Sequence, residues 1–86
     1  MRGVAYTLSR HARDVLEERD IPVAWLERVL ENPQRIEPDL NDVELEHRLC
    51  RIHEHGDRVL RVVLNKTVRP PRVVTLYFDR TMRDRL

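Results

Sequence analysis

At 86 residues, the chain has room for one hydrophobic core and no second domain, because so short a chain buries only about 60–65% of the surface it exposes when unfolded. Residues 1–86 are therefore expected to form a single domain. The formal net charge of +1 is too small to indicate nucleic-acid binding by itself. The single cysteine, Cys50, excludes an internal disulfide, so packing has to stabilise the fold.

Hydropathy gives no sign of a membrane segment or a leader. No apolar run approaches about 18 residues, and residues 1–6 lack the long hydrophobic stretch of a secretory signal. We therefore expect no membrane association and a cytoplasmic location.

Charge is distributed unevenly along the chain. Residues 1–57 contain 13 acidic and 8 basic residues, whereas residues 58–86 contain 2 acidic and 8 basic residues. This asymmetry predicts a basic surface at the end of the fold formed by the C-terminal strands. The alternative is that the arginine-rich composition, with Lys66 as the only lysine, reflects the base composition of the genome.

Two amphipathic helices are predicted in the first part of the chain. Ser9 suits a helix N-cap and precedes apolar residues at helical spacing, which predicts a helix over about 9–19. Asp20 can end this helix in a left-handed conformation, at a higher cost than glycine. Pro22 suits the first turn of a second helix over about 22–31. The short link should place the two helices side by side on one face of the structure that follows.

The second part of the chain predicts an antiparallel sheet. Residues 36–42 contain Pro38 and three acids, so they are interpreted as a loop with a short extended piece at its start. Alternating apolar residues then predict strands over about 45–52, 58–65 and 72–78. The expected fold class is α+β, with two N-terminal helices packed on a three- to four-stranded antiparallel sheet.

The alternation assigns side chains to the two faces of this sheet. The residues expected to face the helices are Leu60, Val62, Leu64, Val74, Leu76 and Phe78. The opposite face is expected to carry Arg61, Thr75 and Tyr77 among Val59, Val63 and Val73. These valines, if uncovered, or an exposed sheet edge could support a homodimer, which the sequence does not exclude.

Arg61 is the first candidate for chemistry on that face. An arginine in mid-strand, flanked by the hydroxyl of Thr75 and the phenol of Tyr77, can hold a phosphate and offset charge that develops on it. Arg80, in the basic C-terminal part, is a further candidate substrate-binding residue together with Thr75. The alternative is that this face is the solvated side of a half-buried sheet, where such residues are ordinary.

The start of the first helix is a second candidate. Arg10, His11 and Arg13 crowd its first turns, where cations oppose the helix dipole by a few tenths to about 1 kcal/mol. Positive side chains and free backbone N–H groups together favour a bound anion such as phosphate, so Arg10 and Arg13 are candidate substrate-binding residues. His11 can donate or accept a proton near neutral pH. The alternative is that all three are solvated surface residues.

The spacing of His47, Cys50, His53 and His55 also invites a zinc interpretation, because imidazole and thiolate are common zinc ligands. On a strand, however, His47 and Cys50 point to opposite faces, and there is no second cysteine. We therefore predict no metal site. No glycine-rich phosphate loop or nucleophile elbow is present, and we expect no cofactor.

Two stretches of sequence resemble known families. The first resemblance rests on Tyr6–Ala12 (YTLSRHA), Glu18–Pro22 and Val29–Pro33. It is to a widespread family of small bacterial domains of uncharacterised function, in which a histidine-alanine pair opens a helix. In that family glycine and a serine-like cap are common at the positions of Asp20 and Pro22, so the turn between the helices departs from the pattern.

The second resemblance rests on Glu46–Arg48, Arg58–Val63 and Arg72–Thr75. It is to BrnT-type toxins, which are members of the RelE-like ribonuclease superfamily. The resemblance implies a RelE-like fold whose sheet face cleaves RNA without a metal, and an antitoxin protein as partner.

Residue roles follow from this resemblance only by analogy. It implies that Arg48 and Arg61 bind or neutralise the scissile phosphate, and that His11 or Tyr77 assists proton transfer. The leading hypothesis is therefore a metal-independent RNA endonuclease of a toxin–antitoxin system. The alternative is a non-catalytic module that binds RNA or protein, which the modest net charge and the lack of a convincing general base favour.

Overall fold

The structure is a computed structural model that describes residues 4–86. Its helices are α1 (Arg10–Glu18) and α2 (Val23–Glu31). Its strands are β1 (Thr7–Leu8), β2 (Arg35–Pro38), β3 (Leu45–Ile52), β4 (Arg58–Asn65) and β5 (Arg72–Phe78). Single 3₁₀ turns follow β3 and β5, at His53–His55 and Arg80–Met82. The predicted α+β class is confirmed.

Local sequence signals define the helix ends. The hydroxyl of Ser9 accepts a hydrogen bond from the backbone N–H of Ala12 at 3.0 Å, as expected of an N-cap. Asp20 follows α1 with a φ of 52°, which is the left-handed stop that the sequence predicts. Neither α1 nor α2, nor any other helical segment in residues 4–86, is long and apolar enough to cross a membrane.

The sheet has five strands in the order β1-β5-β4-β3-β2, and it is mixed, because β1 runs parallel to β5. The expected antiparallel sheet of three to four strands is therefore corrected. With two residues, β1 is too short to show alternation, and it pairs with β5 through a bond from Thr7 N–H to the Pro71 carbonyl at 2.9 Å. Pro38 and the acidic residues beside it led to the prediction of a loop where β2 lies. β2 is an edge strand, and proline is tolerated there. This strand order does not by itself confirm a RelE-like fold.

A β-bulge changes the predicted faces of β5. Val63 pairs with Thr75 but Leu64 pairs with Val73, so Val74 is left without a partner on β4. Val73 consequently packs in the core beneath the helices, and Val74 does not, which corrects the predicted inward and outward assignment of these two valines.

The helices cover one face of the sheet, and a short C-terminal segment covers part of the other, which we call the open face. The main core lies between α1, α2 and the sheet. On the open face, Leu49 and Val59 pack against Met82 and the partly buried Leu86. Val59, Val63 and Val73 are all buried, so the expectation of uncovered valines is wrong.

Candidate functional site

Arg61 lies at the centre of a hydrogen-bonded network on the open face. Its side chain donates to Asp79 at 2.8 Å, to Glu37 at 3.1 Å and to Nδ1 of His47 at 2.8 Å. The residue is only 9% exposed. Two carboxylates therefore already neutralise the guanidinium that the sequence offers as a phosphate ligand.

The network also fixes the proton on His47. A guanidinium can only donate, so Nδ1 of His47 must accept from Arg61. The proton then lies on Nε2, which donates to Asp39 at 2.7 Å. The hydrogen bond from His47 is the largest of the causes that hold the pKa of Asp39 below its ordinary value.

Burial and hydrogen bonding have opposite effects on the pKa values of Asp79 and Arg61. Burial raises the pKa of Asp79, but hydrogen bonds from Thr81 and Arg61 outweigh it and leave this pKa below its ordinary value. Burial likewise lowers the pKa of Arg61, and its bonds to Asp79 and Glu37 reverse that effect. Both residues therefore stay charged at neutral pH, and the pair stabilises the end of β5.

Arg48 lies on the opposite face of the sheet from Arg61. It pairs in register with Val62, which belongs to the core under the helices, whereas Arg61 pairs with Leu49 on the open face. Its side chain donates to the Leu30 carbonyl at the end of α2 at 2.9 Å and to Glu46 at 2.8 Å. The structure thus does not bring Arg48 and Arg61 to one phosphate.

Other arginines converge where β4 begins and β5 ends. Here a cavity of about 640 Å³ is lined by Val59, Tyr77, Phe78, Asp79 and four arginines, and we call it the arginine groove; the four arginines are Arg19, Arg58, Arg80 and Arg83. The carboxylate in this lining, that of Asp79, already accepts a hydrogen bond from Arg61. All four are exposed, and within residues 4–86 no carboxylate forms an ion pair with any of them. The groove therefore brings together four positive charges that have no ion-pair partner within the described chain.

A second, smaller cavity adjoins the arginine groove along the edge of β5. It has a volume of about 280 Å³ and shares Arg19, Tyr77 and Phe78 with the groove. Its far end holds His11, whose Nε2 lies 3.0 Å from the hydroxyl of Thr75. We call it the β5 cleft. Tyr77 thus lines both the cavity with the four arginines and the cavity with His11.

The predicted site residues are thus divided among several places. Tyr77 and Arg80 line the arginine groove, and His11 and Thr75 lie in the β5 cleft. Arg10 and Arg13 are exposed on α1 and line neither cavity. Their predicted roles, and those of Arg48 and Arg61 in catalysis, stay predictions.

The predictions missed three arginines of the groove, Arg19, Arg58 and Arg83. They come from the end of α1, the start of β4 and the C-terminal segment, so no local motif joins them. The signal that could have found two of them is the excess of bases after residue 57. Arg19 lies in the acidic part of the chain and carries no such signal.

The residues of the zinc interpretation are separated. His47 lies on the open face in the Arg61 network, whereas Cys50 is buried under the helices, where burial raises the pKa of its thiol. His55 packs between Trp25 and Phe78, at centroid distances of 5.3 and 4.7 Å. Across residues 4–86, no group of three or more His, Cys, Asp or Glu side chains is placed to hold a metal ion.

Fold and site together define a small α+β domain with a cationic groove at one end of a mixed sheet. A family model described as "Domain of unknown function (DUF4258)" matches residues 8–78. The chain belongs to this family, which confirms the resemblance to small uncharacterised domains. Neither the curated proteins nor the solved structures give a match.

Proposed function

We propose that this domain binds single-stranded RNA in the arginine groove. The observation that carries the proposal is the convergence of four exposed arginines without acidic partners on one cavity that also presents an aromatic ring. Arginine is the side chain best suited to phosphate, because its planar guanidinium donates in a fixed fork.

The exposed ring of Tyr77 favours single-stranded RNA over double-stranded RNA as the ligand of the groove. Its side chain is 45% exposed and lies between the arginine groove and the β5 cleft. An exposed ring can stack on an unpaired base, whereas the faces of paired bases are covered by their neighbours in the helix. The combination of a basic groove and a stacking platform is typical of proteins that bind single strands.

The test is fluorescence anisotropy of a labelled RNA oligonucleotide with the wild type and with Arg80→Glu. Lys66→Glu is the matched control, because it makes the same charge change at an exposed turn away from the groove. We expect Arg80→Glu to weaken binding strongly and Lys66→Glu to have little effect. If both variants lose affinity equally, binding follows net charge and the groove is not the site.

RNA cleavage is the second candidate function, and the position of His11 favours it. A strand that lies in the arginine groove and stacks on Tyr77 extends along the β5 cleft towards His11. Here His11 takes the proton of a ribose 2′-hydroxyl, and the resulting oxygen attacks the adjacent phosphorus. The bond from phosphorus to the 5′-oxygen breaks, and that oxygen takes a proton from Tyr77 or water. The products are a 2′,3′-cyclic phosphate and a 5′-hydroxyl.

Cleavage is tested on end-labelled RNA in excess EDTA with the wild type and His11→Ala. Scission by the wild type that disappears in His11→Ala, while RNA affinity is retained, supports a metal-independent nuclease. Scission that persists in His11→Ala places the chemistry elsewhere or in a contaminant. Intact RNA with both proteins leaves the non-catalytic binding module.

A toxin of the BrnT type in the RelE-like superfamily is the biological role in which such cleavage fits, and an antitoxin protein would then cover the groove. The resemblance in sequence supports this role, and the family match adds nothing to it. RNA as partner agrees with the cytoplasmic location that the sequence predicts. Growth arrest on expression, relieved by His11→Ala, is the outcome that this role requires.

A further inference from the structure

The loop between β2 and β3, residues 39–44, exposes two aliphatic side chains to solvent. Leu40 is 95% exposed and Val43 is 89% exposed. The loop nevertheless has internal order, since the Asp39 carboxylate accepts from the backbone N–H groups of Asn41 and Asp42 at 3.1 and 3.0 Å. Two aliphatic side chains are therefore held out into solvent on a defined turn, where they gain nothing for this chain alone.

This loop, which we call the acidic loop, is also strongly negative. Residues 36–46 contain five acidic residues and no basic residue. Some of these acids are paired within the chain, but within residues 4–86 neither Asp42 nor Glu44 forms an ion pair. The loop thus combines exposed aliphatic side chains with unpaired carboxylates.

The arginine groove has the complementary chemistry. It offers four unpaired guanidinium groups around the exposed ring of Tyr77 and the partly buried ring of Phe78. We propose that two copies of this chain form a dimer in which the acidic loop of each occupies the arginine groove of the other. Arginines would meet Asp42 and Glu44, while Leu40 and Val43 would cover the rings of Tyr77 and Phe78.

The position of the two surfaces permits a closed pair. β3, with eight residues, spans about 25 Å, and the acidic loop and the arginine groove lie at opposite ends of it. No residue of the acidic loop lines the arginine groove of its own chain. Glu37 and His47 beside the loop and Val59 and Tyr77 in the groove all belong to the open face. Two open faces related by a two-fold axis bring each loop to the opposite groove, so the contact is reciprocal.

Dimerisation and RNA binding would then compete for one surface. This consequence rests on the proposed function, whereas the dimer itself does not, because it can be measured without RNA. RNA should shift the protein towards a one-to-one complex with a monomer, and a protein that forms dimers but binds no RNA would refute only the proposed function.

The first test is the molar mass in solution, by light scattering on a size-exclusion column or by sedimentation equilibrium. The monomer has a mass of 10.4 kDa, and we expect twice this mass in low salt. Raising the salt from about 0.1 M to about 1 M shortens the Debye length from about 10 Å to about 3 Å and should raise the dissociation constant. A monomer at all concentrations and salts would overturn the proposal.

The decisive test exchanges the charges. The loop variant carries Val43→Arg and Glu44→Arg and keeps the turn-forming Asp42, whose carboxylate accepts from the Glu44 N–H. The groove variant carries Arg58→Glu and Arg80→Glu. Each variant alone should be monomeric, because like charges would face each other in both contacts.

An equimolar mixture of the two variants should dimerise again. The reversed loop then meets the reversed groove, and the native loop meets the native groove. Circular dichroism checks that both variants fold, as expected from substitutions at exposed positions. Dimerisation of either variant alone, or a mixture that stays monomeric, contradicts the pairing of loop and groove. If the wild type dimerises but the variants do so equally well, another surface is used.

Discussion

The arginines of this domain occupy two contrasting environments. Arg61 is buried, and it is surrounded by Asp79, Glu37 and His47 at hydrogen-bond distance. The arginines of the arginine groove are exposed and line a cavity together with Tyr77 and Phe78. The guanidinium of Arg61 therefore has carboxylate partners within the chain, whereas the guanidinium groups of the groove form no ion pair within residues 4–86.

This difference shows why the position of an arginine in a strand is a weak guide to function. A guanidinium that already binds two carboxylates would have to exchange them for a phosphate, and the carboxylates would then repel that phosphate. A guanidinium in solvent has no such competitors. We therefore expect the Arg61 network to contribute stability and propose the groove as the ligand-binding surface, and single substitutions can separate these two roles.

Arg61→Ala should give the largest loss of stability. The substitution removes the guanidinium from Asp79 and Glu37, and breaking a buried pair of this kind costs about 3 kcal/mol. We expect this decrease in the free energy of unfolding in urea, with the RNA affinity of the folded fraction unchanged. Arg61→Lys keeps the charge but loses the planar fork, so its loss should be intermediate. A normal unfolding curve together with lost RNA binding would reverse the assignment.

Tyr77→Ala should give the opposite pattern. Loss of a stacked base lowers the RNA affinity by about 1–3 kcal/mol, whereas an exposed side chain contributes little to unfolding. Anisotropy titration and urea denaturation on the same preparation measure both quantities. Tyr77→Phe is the control, because it keeps the ring for stacking. An RNA affinity that Tyr77→Ala leaves unchanged would exclude stacking as the function of this ring.

Arg48→Ala tests a predicted site residue that the structure places under the helices. Its bond to the Leu30 carbonyl satisfies the end of α2, so its loss should cost about 1–2 kcal/mol of unfolding free energy. RNA affinity should not change, because Arg48 lies on the other face of the sheet from the Arg61 network. Arg48→Met keeps the packing of the stem, so the difference between the two variants separates packing from hydrogen bonding. A loss of RNA affinity at full stability would restore the role in phosphate binding.

The elements with strong periodic or capping signals could be predicted from the sequence. The Ser9 side chain caps the start of α1, and the left-handed backbone of Asp20 ends it. Both signals are local in sequence, so both helix ends could be predicted. β1 could not be predicted, because two residues carry no period and their pairing depends on β5, more than 60 positions away. The bulge at Val74 is likewise decided by how β5 pairs with β4. Contacts distant in sequence leave no local pattern.

The candidate site was predictable only where one residue carries the information. Tyr77 stands out as a phenol in an alternating strand, and it lies in the arginine groove. Arg61 stands out for the same reason, but its neutralisation depends on Glu37 and Asp79, which come from separate elements. The sequence shows that an arginine is present, and only the fold shows whether a carboxylate lies within hydrogen-bond distance of it.

The smallest effect that still separates the two environments is a dependence of stability on pH. Because the pKa of Asp79 is lowered in the folded state, its contribution to stability is present above about pH 5 and is lost as the pH falls below 3.8 towards the folded value. Burial opposes the hydrogen bonds that lower this pKa, so the change should be modest.

Urea denaturation at about pH 6 and at about pH 3, with the wild type and Asp79→Asn, measures the dependence. The uncharged amide cannot titrate, so the difference in unfolding free energy between the two proteins should shrink at the lower pH. A difference that is equal at both pH values would mean that the hydrogen bonds from Thr81 and Arg61 do not outweigh the effect of burial on the Asp79 pKa. The Asp79–Arg61 pair would then add no net stability, and the contrast between Arg61 and the arginines of the groove would rest on their exposure and their partners alone.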